Sequence, residues 1–98
     1  MLLAHALTLA EARSYVAALA DNALTTDASI EYDRVLLQID FIHGDLIPAI
    51  SPVAVTDRDV LFTVAESAIE DLATHGIDGL TVELVLDMLY GARELDAP

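Results

Sequence analysis

Residues 56–75, TDRDVLFTVAESAIEDLATH, predict an amphipathic helix more clearly than any other part of the chain. Apolar side chains recur there at steps of three and four, and polar side chains occupy the opposite stripe. The inner stripe consists of Leu61, Ala65, Ala68 and Leu72, and the outer stripe of Asp59, Thr63, Glu66 and Glu70. Thr56 and Asp57 can cap the first turn, which sets the predicted helix at residues 57–75.

Two helices are predicted upstream of this segment, at residues 8–24 and 28–43. Thr8 and Glu11 have the spacing of a capping box, which predicts that the first helix begins there, with Leu2 and Leu3 either extending it upstream or packing beneath it. The second segment is apolar on nearly all sides towards its end, so we expect it to lie at the centre of the fold or to be buried in an oligomer. Gly44 follows it as a C-terminal cap.

A fourth helix is predicted at residues 82–93, with Thr81 as its cap. The connection at 45–55 contains two prolines but is mostly aliphatic, so we expect it to lie along the helices or along a partner. No segment shows the alternation of a strand. The sequence therefore predicts one all-α domain, 1–98, built as a small four-helix bundle of two helical hairpins joined by a proline-containing link.

The charge of the chain is strongly one-sided. Seventeen Asp and Glu face four Arg and no Lys, giving a formal net charge of −13, while 55% of the residues are apolar. That apolar content is enough to bury a core, so we expect a folded chain with acid on its surface. We expect repulsion from nucleic acid and anionic lipid. There is no cysteine and no apolar run of membrane-spanning length, and a cytoplasmic protein is predicted.

No motif of catalytic quality is present. The sequence has no glycine-rich phosphate cradle, no Glu-x-x-His pair of the di-iron bundles and no lysine for Schiff-base chemistry. His43–Gly44 and His75–Gly76 each resemble a helix end, where a histidine complements the dipole and glycine follows. The alternative, that each histidine binds a divalent metal together with its flanking carboxylates, is the weaker interpretation. We therefore predict that the protein is not an enzyme and holds no metal and no cofactor.

The predicted function is protein–protein interaction, in which an acidic surface meets a basic partner as an inhibitor or adaptor. The sharper form of this prediction is a DNA mimic, a device that phage anti-defence proteins use. The predicted partner-binding residues are acidic and lie on the third and fourth helices: Asp59, Glu66, Glu70, Glu83 and Asp87. A predicted apolar interface, on the second and fourth helices, consists of Val35, Leu36, Ile39, Ile42, Leu86 and Tyr90.

The acidity is also consistent with two roles that need no basic partner. The protein can be a structural homo-oligomer subunit or assembly factor whose acid serves only solubility, or the acid can reflect a biased genome or a salty cytoplasm. The apolar excess predicts that the chain is not a free monomer.

The four arginines divide into two groups. Arg34 has Glu31 within helical reach, and Arg93 has Asp96. The remaining two, at positions 13 and 58, have no acidic residue three or four positions away on their own helices. This predicts pairing across helices; the alternative is that one of them anchors an interface with a partner.

Overall fold

Four helices make up the fold of the chain. The computed structural model describes residues 2–44 and 47–97. Its helices are α1 (Leu3–Asp21), α2 (Thr26–His43), α3 (Arg58–Asp71) and α4 (Gly79–Leu95), and a short 3₁₀ helix, Leu72–His75, continues α3. The described residues contain no strand. The predicted all-α four-helix bundle is confirmed.

The helices are arranged so that neighbours in the bundle are antiparallel. α1 packs against α2 and α3, and α4 packs against the same two helices; α1 and α4 lie across one diagonal of the bundle, and α2 and α3 across the other. The start of α1 meets the ends of α2 and of the 3₁₀ helix through His5, His43 and His75. The start of α3 meets the end of α4 through Arg58 and Asp96. α2 and α3 are therefore parallel and diagonal to each other.

The link between α2 and α3 is long because it must return to the opposite end of the bundle. Its described part runs along α1, where the Ser51 amide donates to Ser14 Oγ at 3.0 Å and the Arg13 guanidinium donates to the Pro48 carbonyl. Val53 packs against the core. The aliphatic link thus covers the outer side of α1, and its first two residues, 45 and 46, lie outside the described range.

The helix at the centre is α1 rather than α2, so of the two expectations for α2 the central position is wrong, and burial in an oligomer stays a prediction. α1 is covered on three sides, by α2, α3 and the link, and even Ser14 on its outer side is buried. α2 has α1 and α4 as its neighbouring helices, and it leaves Leu37 67% and Phe41 82% exposed. A helix that is apolar on nearly all sides does not reveal which side faces the core.

Two predicted helix starts are also corrected. Thr8 does not cap α1, which begins five residues earlier; its hydroxyl instead lies 3.3 Å from His75 Nε2. Asp78, not Thr81, caps α4, since its carboxylate accepts a hydrogen bond from the Thr81 amide. Asp57 caps α3 as predicted, through its bonds from the first-turn amides.

Candidate functional site

The acidic residues predicted on α3 and α4 come together around one exposed tyrosine. The Tyr90 hydroxyl donates to Glu66 Oε2 at 2.5 Å, which ties the two helices together at the surface. That hydrogen bond raises the pKa of Tyr90, with smaller contributions from burial and from the negative charges of Glu66, Glu70 and Asp87. Glu83 lines a shallow groove with Asp87 and Tyr90. We call the surface of these five residues the acidic face.

Asp59 is the one predicted acidic residue that lies apart from the acidic face. It follows Arg58 at the start of α3 and lines a small cavity with Phe62, Arg93 and Asp96. Two arginines and two carboxylates share this cavity, so its charge is mixed. The structure thus brings together four of the five predicted acidic residues.

Two of the four arginines form ion pairs on α1 and α2. Arg13 pairs with Asp40 across the two helices, with Nε to Oδ1 at 2.6 Å and Nη2 to Oδ2 at 3.2 Å. Arg34 pairs with Glu31 on α2 at 3.1 Å. The predicted cross-helix pairing of Arg13 and the predicted helical pair of Arg34 are both confirmed.

The remaining two arginines surround the end of α4. Arg58 pairs across helices with Asp96 at 3.4 Å, as predicted for an arginine without a partner on its own helix. Arg93 has Asp96 within helical reach, but the two form no ion pair in the described residues, and the Arg93 guanidinium lies over the Phe62 ring, 4.6 Å from its centroid. None of the ion pairs within the described residues therefore neutralises a carboxylate of the acidic face.

The predicted apolar interface is corrected in part. Val35 and Ile39 are fully buried in the core and present no surface to a partner. Leu36, Ile42 and Leu86 are half-buried and pack against that core. The apolar side chains exposed on α2 are instead Ile30, Leu37 and Phe41. This prediction failed because α2 carries apolar residues on two sides, and the sequence does not show which side faces the core.

All three histidines of the chain meet at one end of the bundle, and we call them the histidine cluster. His5 Nε2 lies 3.2 Å from His43 Nε2, and the His5 ring stacks on the His75 ring with centroids 5.2 Å apart. Burial lowers the pKa of His5, and the neighbouring His43 and His75 lower it further. The sequence does not predict this cluster, because the pattern of a helix end accounts for His43 and His75 separately.

The rest of the described structure and the comparisons with known proteins do not point to a known site. Among residues 2–44 and 47–97, no three or more His, Asp or Glu side chains are arranged to hold one metal ion together. None of the four helices combines the length and apolar character needed to cross a bilayer, in the part of the chain that the structure describes. Comparison of the chain with known protein families, curated proteins and solved structures finds no match.

Proposed function

We propose that this protein is a protein–protein interaction module that docks its acidic face on a basic surface of a partner and acts as an inhibitor or adaptor. The observation that carries the proposal is the grouping of Glu66, Glu70, Glu83 and Asp87 around exposed Tyr90, with no arginine paired to them in the described residues. Complementary charge at such a surface speeds the encounter and selects the partner.

The composition of the acidic face supports a protein partner. Tyrosine is enriched among the residues that dominate binding energy, because its ring buries a large area and its hydroxyl makes a directed hydrogen bond. A net charge of −13 disfavours approach to nucleic acid itself. The partner that fits is a protein with a lysine- or arginine-rich surface, and we place the encounter in the cytoplasm.

The test reverses charge on the acidic face and compares it with the same change elsewhere. The test variant is Glu66→Lys with Glu70→Lys; the control is Glu11→Lys with Asp33→Lys, at two exposed positions on α1 and α2. Each pair of substitutions changes the formal charge from −13 to −9. Affinity purification from the native lysate should recover a partner with the wild type and with the control, and lose it with the test variant.

Two further outcomes decide the mechanism. Binding should weaken as salt rises, because screening shortens the reach of exposed charges. Equal capture by both variants, with no salt dependence, would remove the acidic face as the docking surface. Displacement of the partner by duplex DNA would identify the sharper form, a DNA mimic; without displacement the partner binds through another basic surface.

A second candidate function rests on the outer side of α2. Ile30, Leu37 and Phe41 lie there at 47%, 67% and 82% exposure, spaced to share one stripe of the helix. We propose as the alternative a homo-oligomer whose copies bury this stripe. Light scattering of the isolated protein tests it, and Phe41→Asp should dissociate the oligomer. A mass of 10.5 kDa at micromolar concentration would contradict it.

A further inference from the structure

The two imidazoles of His5 and His43 face each other nitrogen to nitrogen. His43 Nδ1 lies 2.7 Å from the Ile39 carbonyl, and a carbonyl only accepts, so Nδ1 carries the proton of the neutral ring. His43 Nε2 is then an unprotonated donor of an electron pair, directed at His5 Nε2 at 3.2 Å. Histidines that bind metal usually donate one ring N–H to a backbone carbonyl or carboxylate and present the other nitrogen to the ion, and His43 has this arrangement.

The separation of the two nitrogens fits a shared metal ion. In a tetrahedral site with Zn–N bonds of about 2.0–2.1 Å, two ligand nitrogens lie about 3.4 Å apart. The observed 3.2 Å is close to that value, and the same atoms form a single hydrogen bond when His5 carries its proton on Nε2. A shift of this proton from Nε2 to Nδ1 of His5 leaves His5 Nε2 with a free electron pair, and the ring stays neutral.

We propose that His5 and His43 bind a transition-metal ion of the Zn²⁺ class through their two Nε2 atoms, and that the ion clamps the start of α1 to the end of α2. Imidazole nitrogen prefers Zn²⁺, Ni²⁺ and Cu²⁺ to Mg²⁺ and Ca²⁺, which prefer oxygen ligands. Two protein ligands leave the remaining coordination positions to water.

The surroundings favour a cation at this position. Two helix ends with negative partial charge meet there, at His43 of α2 and His75 of the 3₁₀ helix, and they oppose the positive partial charge at the start of α1. The strongly negative chain also concentrates cations around it. The His75 ring is inclined only 4° to the His5 ring and its Nε2 bonds the Thr8 hydroxyl, which makes His75 a stacking neighbour and not a ligand.

The experiment titrates the full chain with ZnCl₂ at neutral pH and follows binding by calorimetry. We expect one ion per chain at this site, and at least about tenfold weaker binding in His5→Gln and in His43→Gln. His75→Gln is the matched control, because it removes an imidazole of the histidine cluster but neither nitrogen of the pair; it should change the affinity by less than about threefold. CaCl₂ should not compete, since calcium prefers carboxylate oxygen.

A second measurement separates metal binding at the pair from binding by the many carboxylates. In ¹⁵N spectra of the wild-type rings, Zn²⁺ should shift Nε2 of His5 and His43 while His43 Nδ1 stays protonated. Zinc binding that survives His5→Gln with His43→Gln would show that carboxylates hold the ion. That result, the absence of binding to the wild type, or an equal loss in His75→Gln would each overturn the proposal.

Discussion

The ion pair between Arg13 and Asp40 should be a principal local support of the fold. Arg13 donates to both carboxylate oxygens of Asp40 on α2 and to the Pro48 carbonyl in the link, so one side chain joins three segments. Only 11% of the Arg13 side chain and 23% of the Asp40 side chain is exposed. Substitution of Arg13 by methionine keeps the apolar stem and removes all three bonds.

The expected cost lies between the values for surface and buried pairs. Exposed ion pairs contribute about 0–1 kcal/mol, and breaking a fully buried pair costs about 3–5 kcal/mol. Because water can still reach part of Asp40, we expect Arg13→Met to lower the free energy of unfolding by about 2–3 kcal/mol. For a domain of this size that is a fall in melting temperature of about 10–20 °C. Arg13→Lys should recover little of it, because lysine cannot make the two-pronged contact.

The chain supplies its own control for this measurement. Arg34 pairs with Glu31 one turn away, but its side chain is 65% exposed, so Arg34→Met should cost no more than about 0.5 kcal/mol. Urea unfolding followed by circular dichroism gives both values, and a double-mutant cycle of Arg13→Met with Asp40→Asn isolates the pair. If Arg13→Met costs no more than Arg34→Met, the reasoning from burial and geometry is refuted.

Four further outcomes are expected. Burial is the main cause that raises the pKa of Tyr32 to about 12, with a smaller upward contribution from Asp96 and opposing contributions from Arg58 and Arg93. This pKa is about 10 in the unfolded chain, so the wild type should lose up to about 2.7 kcal/mol of stability between pH 10 and 12, and urea titrations should show that Tyr32→Phe retains it. Glu66→Gln should lower the pKa of Tyr90 towards 10 in tyrosine NMR titrations, and an unmoved pKa would contradict the hydrogen bond. Ser14→Ala should speed amide exchange at Ser51 without changing exchange in the helix cores, because the link loses its bond to α1. The melting temperature should rise from 0.05 to 1 M NaCl, since the Debye length falls to about 3 Å; a flat response would mean that the acids are too dispersed to repel.

The sequence predicts where the helices lie in the chain better than it predicts which side of each helix faces the core. The third helix is clear because its polar and apolar stripes are separate, and all four of its predicted inner residues are buried. The predicted start of α1 is wrong because Ala4 to Leu7 favour helix as well as the residues after Thr8 do, so a capping pattern inside good helix formers does not stop the helix. α2 has apolar residues on both sides, and only its packing decides that Val35 is inside and Leu37 outside.

Of the two candidate sites, the acidic face can be predicted from the sequence, and the histidine cluster cannot. The acidic face follows from helical spacing on α3 and α4, once the two helices are neighbours. The histidine cluster does not, because His5 and His43 are 38 residues apart and meet only through the lengths and directions of α1 and α2. No local pattern carries that information. For the same reason the sequence predicts that Arg13 pairs across helices but does not identify Asp40 as its partner.

The return of the link along α1 has a consequence for how the chain folds. α1 makes more extensive contacts with α3 than with α2, its own hairpin partner, so each hairpin finds much of its packing in the other. Neither hairpin is then a folding unit, and unfolding should be a single cooperative transition. The decisive contacts join residues far apart in the chain, which slows folding relative to bundles whose helices pack in sequence order.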